Sequence, residues 1–131
     1  MKLLQLSPRF PLPPDDGGQI VLSNTFKYLS KLGNAVHLFC FEEDTIEEKL
    51  ISEVQSMGKF FQYKYTPKNT ASIALKSLCT NRSAYLAKHF SEKIFKQLCD
   101  IYEKEKYDII HCEHSAMAVL GSKLKKKYGV P

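Results

Sequence analysis

Apolar residues recur along this chain with two alternating periods. Between short apolar runs, apolar positions return every three or four residues, which is typical of helices packed on a sheet. A run that is apolar almost throughout, such as AVHLFCF, indicates a strand covered on both faces, as in parallel sheets. The alternation therefore predicts an α/β fold, a Rossmann-like parallel sheet flanked by helices, with right-handed crossovers. The predicted strands cover residues 2–6, 35–41, 59–65 and 107–112.

The helices are predicted from their periods and from the residues at their ends. Gly33 and Asn34 are helix stop signals after the first helix, and Thr45 or Asp44 is the expected cap of the second. Apolar residues continue with one period through 84–105, which predicts a single helix there. Polar residues interrupt the third strand, so we expect it near an edge of the sheet. The predicted helices cover residues 20–32, 45–56, 72–78, 84–105 and 117–128.

Length and charge are those of one ordinary domain. The chain has 131 residues, 44% of them hydrophobic and 25% charged, which suits a globular protein with a single core. The net charge of +5 comes largely from the KLKKK run at 123–127, which we interpret as a solvated helix face. No basic stripe with interleaved aromatic residues is present, so no nucleic-acid partner is expected.

Targeting signals and cysteine usage point to the cytoplasm. The first apolar run ends at Leu6, far short of a signal peptide, and no stretch approaches the roughly 20 apolar residues that cross a bilayer. The four cysteines form no CxxC pair, and we expect reduced thiols. The chain ends with GVP where a further strand would begin, so residues 1–131 are expected to be one domain, incomplete at its carboxyl end.

A proline-rich loop follows the first predicted strand. The segment SPRFPLPPDDGGQI, residues 7–20, holds four of the six prolines and a pair of glycines. Ligands of open α/β sheets bind outside the carboxyl ends of the strands, and helix N-termini there suit phosphates. Glycine lets the backbone approach closely, so Gly17 and Gly18 are candidate diphosphate contacts. The alternative is a flexible turn that eases entry into the helix.

Other phosphate and charge signals narrow the possibilities. The dinucleotide pattern GxGxxG is absent, which counts against a nicotinamide or flavin enzyme, and the phosphate loop GxxxxGK[ST] is absent too. Adjacent Asp15 and Asp16 are expected to be solvated, and Arg9 to pair with one of them and hold the loop. Arg82 lies in a predicted loop, where it meets either an anion or nothing.

A second candidate site is the sequence HCEH, residues 111–114, at the end of the fourth predicted strand. A zinc site is a poor match because no third ligand has the usual spacing. Contact with a sugar fits better, since imidazole and carboxylate groups both pair with hydroxyls. The alternative is that His111 is a core residue and that Glu113 and His114 only cap the next helix. His37 lies mid-strand and is expected to be structural.

Together these segments resemble the amino-terminal domain of a GT-B glycosyltransferase. MKLLQLSPRFPLPPDDGGQI, AVHLFCF, YDIIHCEHSAM and KKKYGVP are similar, in sequence and spacing, to the retaining "group one" enzymes of family four. The resemblance covers nearly the whole chain. It implies two Rossmann-like domains facing a cleft, and sugar transfer with retention from a nucleoside-diphosphate sugar. The second domain, which carries two glutamates and binds most of the donor, lies outside this sequence, so we expect these residues alone to be inactive.

The resemblance also implies roles for individual residues. It assigns catalysis to His111 and Glu113, the donor diphosphate to Gly17, Gly18 and Gln19, and the acceptor to Arg9, Asp16, Tyr85 and His114. It implies no metal and no cofactor, the nucleotide sugar being a substrate. The partners implied are that donor and a carbohydrate or lipid-linked acceptor, with peripheral contact at the inner face of a membrane. We also expect dimers through an exposed sheet edge, and the competing hypothesis is a non-catalytic α/β ligand-binding or interaction module.

Overall fold

The computed structural model describes residues 1–42, 45–65, 71–80 and 83–131. Its strands form one sheet in the order β3-β2-β1-β4, and every neighbouring pair is parallel. The third strand lies at an edge of this sheet, as its polar interruptions predicted. The predicted α/β fold, a Rossmann-like parallel sheet flanked by helices, is confirmed. The strands are β1 (Lys2–Ser7), β2 (Ala35–Glu42), β3 (Lys59–Lys64) and β4 (Ile109–Cys112).

Helices join the strands and cover both faces of the sheet. The first begins at Gly17 rather than at residue 20, because the Asp16 side chain caps it by accepting from Gln19 N at 2.9 Å. It ends, as predicted, before Gly33, whose φ of 82° is left-handed. The helices are α1 (Gly17–Lys31), α2 (Glu48–Met57), α3 (Ala71–Thr80), α4 (Ala84–Lys88), α5 (Glu92–Glu105) and α6 (Ala118–Tyr128), with a 3₁₀ turn at Ser115–Met117.

Side chains of the strands alternate between two apolar clusters, one on each face of the sheet. On the face covered by α1 and α2, the buried cluster contains Leu3, Phe10, Leu22, Phe26, Val36, Leu38, Cys40 and Val54. On the face covered by α5 and α6, it includes Leu4, Leu6, Phe39, Phe41, Ile94, Leu98, Met117, Leu120 and Leu124. By this alternation Gln5 and His111 share the α1 face with Leu3 and Ile109.

The second helix differs from its prediction at the amino end. It starts at Glu48, with Glu47 as a cap residue that makes no side-chain capping hydrogen bond. Thr45 therefore does not cap it, and Asp44 lies outside the described residues. Ile46, which precedes the helix, packs against the apolar cluster of the α1 face.

The predicted helix over 84–105 is wrong, because the chain breaks between α4 and α5. Ser83 caps α4 by accepting from Leu86 N, and Ser91 caps α5 by accepting from Ile94 N, each at 3.2 Å. A serine cap satisfies N–H groups that have no partner inside their own helix. The apolar period runs on through the break, which is why it suggested one helix. Arg82, just before α4, lies outside the described residues.

Two further observations concern the cysteines and the helices as a group. None of the four residues Cys40, Cys79, Cys99 and Cys112 forms a disulfide, and Cys79 is exposed. Across the described ranges, no helix combines the length and the apolar character that crossing a membrane requires.

Candidate functional site

The loop after β1 is held by contacts at several points along its length. Phe10 is buried, with its ring centroid 5.3 Å from that of Phe60 in an edge-to-face arrangement. Ser7 Oγ donates to the carbonyl oxygen of Arg9 at 2.7 Å. The Gln19 side chain accepts from Asp15 N at 3.3 Å and donates to Phe10 O at 3.4 Å. These bonds tie the loop to the start of α1, so Gln19 holds the loop through its side chain.

Arg9 and Asp16 form a two-pronged ion pair over the start of α1. Arg9 Nη1 donates to Asp16 Oδ2 at 2.7 Å, and Arg9 Nη2 donates to Asp16 Oδ1 at 2.6 Å. The Arg9 guanidinium, followed by the N–H of Gln19, lowers the pKa of Asp16 below its ordinary value. Arg9 thus pairs with one of the two aspartates, as predicted, and the parallel bonds fix the plane of its guanidinium.

The two adjacent glycines have different surroundings. A Cβ added to Gly18 would lie 2.6 Å from Arg9 Nη2 and 3.2 Å from Asp16 Oδ1, so only glycine fits beneath this pair without displacing it. A Cβ added to Gly17 would meet nothing within 4 Å. Neither has a positive φ. The packing of Arg9 therefore explains why residue 18 is a glycine, whereas Gly17 lets another molecule approach the backbone of the first turn of α1 closely.

The end of β4 carries a hydrogen-bonded pair of side chains. His111 Nε2 lies 3.0 Å from Glu113 Oε1, and Glu113 N donates to Leu6 O at 2.8 Å. Glu113 is buried, while 42% of the His111 side chain is exposed. His111 is therefore not a core residue. The capping alternative is also wrong, because His114 makes no side-chain capping bond to the 3₁₀ turn and the Glu113 carboxylate faces His111.

Gln5 of β1 contacts the pair of His111 and Glu113, and the sequence analysis did not predict this contact. Its Nε2 lies 3.2 Å from Glu113 Oε1 and 3.4 Å from the carbonyl oxygen of Leu22. Its Oε1 is buried and has no hydrogen-bond partner among the described residues. An unpaired buried acceptor of this kind costs about 1–3 kcal/mol. The sequence did offer one indication of Gln5, which is a polar residue in the middle of the otherwise apolar run LLQL of the first strand.

Residues 8–18, the loop after β1 with the first two residues of α1, are called the glycine loop below. The tertiary structure places this loop next to the end of β4. Leu6 of β1 pairs in register with Cys112 of β4, and a Cβ on Gly18 would lie 3.6 Å from His114 Cε1. His114 has a φ of 62°, in the left-handed region that residues other than glycine seldom adopt. Such conformations persist where surrounding structure enforces them, and they are common at functional sites.

A recess of about 260 Å³ opens beside His114. Its lining includes Tyr85, whose ring centroid is 4.9 Å from that of His89, and His89 Nδ1 lies 2.8 Å from Tyr85 O. Three of the four residues predicted to bind an acceptor, Arg9, Tyr85 and His114, therefore meet here; Asp16 is linked to them through Arg9. The full lining is Pro8, Arg9, Tyr85, His89 and His114.

A second recess of about 390 Å³ is also lined by residues of this loop. Arg9 borders both recesses. Gln19 and the buried Phe10 line the second one, together with residues that precede α2. Within the described ranges, no cluster of three histidine, cysteine or acidic side chains could hold a metal ion. The site is thus a hydrogen-bonding surface of one arginine, carboxylates and imidazoles, which suits hydroxyl groups.

Comparison with known proteins assigns no family to this arrangement. No protein-family model matches the chain, and no curated protein is significantly similar to it. The likeness to GT-B glycosyltransferases therefore stays a prediction, and the roles of the individual residues depend on the geometry described above.

Proposed function

We propose that this chain is the acceptor-side domain of a retaining GT-B glycosyltransferase that uses a nucleoside-diphosphate sugar. One observation carries the proposal, namely that the glycine loop and the end of β4 meet, with the Gly18 Cβ position 3.6 Å from His114. These are the two motifs on which the family resemblance rests. Their meeting at the carboxyl ends of parallel strands is where an open α/β sheet binds its ligand.

The donor diphosphate is assigned to the open side of the first turn of α1. Asp16 already accepts from Gln19 N, so the approach is at Gly17, where nothing lies within 4 Å of an added Cβ. When the bond between the anomeric carbon and the diphosphate breaks, negative charge grows on the leaving oxygen. The positive end of the helix and the Arg9 guanidinium would stabilise that charge without a metal.

The sugars are assigned to the neighbouring groups. His111 and Glu113 would face the reacting sugar, because the exposed imidazole can bond a hydroxyl while Glu113 holds it from behind. The acceptor would enter the recess lined by Arg9, Tyr85 and His114. Tyrosine rings suit the apolar faces of sugars, and charged groups suit their hydroxyls. A second domain with the paired glutamates is required to complete the cleft.

A second candidate function is a non-catalytic α/β binding or interaction module. The pairing of Arg9 with Asp16 favours it, since this pair already satisfies both charges at the start of α1. In that case the loop has a structural role, and a diphosphate has no free cation to meet. The two candidates differ in whether a diphosphate contacts Gly17.

Nuclear magnetic resonance on the ¹⁵N-labelled chain separates them. UDP, GDP, ADP and inorganic pyrophosphate are titrated one at a time. Under the first proposal the amide signals of Gly17 and Gly18 shift together. Gly17→Val, which has room for its side chain, should keep the fold and lose the response. Titrations that leave these amides unmoved in the wild-type chain would remove the diphosphate contact at Gly17 and favour the binding module.

A further inference from the structure

We infer that Gln5 is a positioning residue that acts through Glu113 to hold His111 with its proton on Nε2, leaving Nδ1 as the acceptor for a ligand hydroxyl. The tautomer follows from the contacts alone. The identity of the ligand as a sugar, which supplies the hydroxyl, rests on the proposed function.

The orientation of the Gln5 amide is decided by its two neighbours. The carbonyl oxygen of Leu22 can only accept a hydrogen bond, and it lies 3.4 Å from Nε2. Glu113 Oε1 lies 3.2 Å from the same nitrogen. Turning the amide over would place an oxygen against both acceptors, so the nitrogen must face them. The buried Oε1, which has no partner in the described part of the chain, is left unpaired as a consequence of this orientation.

The orientation of Gln5 in turn decides the role of Glu113 Oε1. This oxygen accepts from the Gln5 amide, and it lies 3.0 Å from His111 Nε2. A carboxylate oxygen that accepts from one side can also accept from the other, so the proton between Glu113 and His111 belongs to Nε2. In the neutral imidazole the remaining nitrogen, Nδ1, then has a lone pair.

A nitrogen with a lone pair on a partly exposed ring is a hydrogen-bond acceptor for hydroxyl groups. The His111 side chain is 42% exposed, so a ligand can reach the ring while Glu113 holds its other nitrogen. A sugar offers several hydroxyl donors, whereas a diphosphate has acceptors only. The geometry therefore assigns His111 to the sugar and not to the diphosphate.

The tautomer is tested by ¹⁵N and ¹H spectra of the histidine rings at about pH 8.5, where an ordinary imidazole is neutral. His111 should carry its proton on Nε2, and this proton should exchange slowly with water. In Gln5→Met, which is similar in size, its exchange should speed up about tenfold, as expected from losing one hydrogen bond to the charged group that holds it. His37 is the internal control, because its Nδ1 bonds Tyr107 OH on the other face of the sheet.

Two results would overturn the inference. The first is a neutral His111 with its proton on Nδ1 in the wild-type chain, which needs no variant. The second is an unchanged exchange rate in Gln5→Met. If that variant does not fold, Glu113→Gln replaces it, because its carboxamide weakens the bond to His111 and keeps the size of the side chain.

The contact between His111 Nδ1 and a sugar hydroxyl is tested separately. The wild-type chain is titrated with methyl α-glucopyranoside and, in parallel, with UDP. We expect the sugar to move the Nδ1 signal of His111, and UDP alone to leave it in place. A correct tautomer with no response to the sugar would overturn the sugar-facing role while Gln5 remains a positioning residue. A response of Gly17 to UDP, together with no response of His111 to the sugar, would leave the proposed function standing and remove the assignment of His111.

Discussion

The two ends of the sheet each carry a cluster of polar side chains, and the two clusters differ in how completely they are paired. At the amino end, the Glu105 carboxylate accepts from Lys2 Nζ and Lys59 Nζ, each at 2.7 Å. Beside it, His37 Nδ1 lies 2.9 Å from Tyr107 OH. Lys2 and Lys59 lower the pKa of Glu105 to about 2, and burial lowers the pKa of His37 and raises that of Tyr107.

At the carboxyl end, pairing is incomplete and the backbone is strained. Gln5 Oε1 is buried with no partner among the described residues, and His114 has a positive φ. His111 has one nitrogen bonded to Glu113 and much of its ring exposed. A fully paired cluster is expected to stabilise the fold, whereas unpaired or strained groups are more often found where a ligand binds.

The largest expected effect is a loss of folding stability in acid, which arises from the polar cluster at the amino end of the sheet. The unfolded chain binds more protons than the folded chain, because the folded pKa values of both His37 and Glu105 are depressed. The free energy of unfolding should decrease below pH 6.5, because protons bind His37 more readily in the unfolded chain than in the folded one. It should decrease further between about pH 5 and 2, where Glu105 becomes protonated. The shift of Glu105 from 4.5 to about 2 corresponds to roughly 3 kcal/mol at most.

Urea unfolding across this pH range measures the loss. Glu105→Gln is the control, and it should start less stable and show a shallower acid limb below pH 5. The same limb in both proteins would show that the amino-end pairing does not stabilise the fold.

His37→Ala should cost about 2 kcal/mol. The variant opens a cavity in the core and leaves the buried Tyr107 hydroxyl without the His37 ring that it now meets. Thermal unfolding at neutral pH measures this, and the amide signals of the glycine loop should stay in place. Movement of the Gly17 and Gly18 signals would contradict the independence of the two clusters.

Gly18→Val should cost about 1 kcal/mol, whereas Gly17→Val should stay within about 0.5 kcal/mol of wild type. The Gly18 side chain would displace the Arg9 guanidinium from Asp16, while the Gly17 side chain enters open space. Melting temperatures of the pair, with the UDP titration on each, separate packing from ligand binding. Equal melting temperatures would show that Arg9 moves aside freely.

The smallest expected change in stability is that of His111→Ala, within about 0.5 kcal/mol, because the ring is partly exposed and Glu113 keeps its bond to Gln5. Its effect on ligand binding should nevertheless be complete, so that methyl α-glucopyranoside no longer shifts the amide signals of residues 112–114. His37→Ala is the matched histidine variant at the other end. A loss of stability in His111→Ala as large as in His37→Ala would place His111 in the structural group.

The sequence by itself determined the fold class and the order of the elements, because apolar periods and stop signals are local. Gly33 ends α1 where predicted, and the polar interruptions of β3 placed it at an edge. The pairing of Arg9 with a loop aspartate was predictable too, since the loop is short. Helix boundaries were less accurate, as at Ser91, because a cap interrupts a helix without changing its apolar period.

Only the tertiary structure decided which polar residues form the site. Gln5 and Glu113 are 108 positions apart, and they meet because β1 and β4 are neighbours in the sheet. The distinct surroundings of Gly17 and Gly18 likewise depend on where Arg9 folds back. Contacts between distant segments follow from the order of the strands and the path of the crossovers, and no local period encodes them.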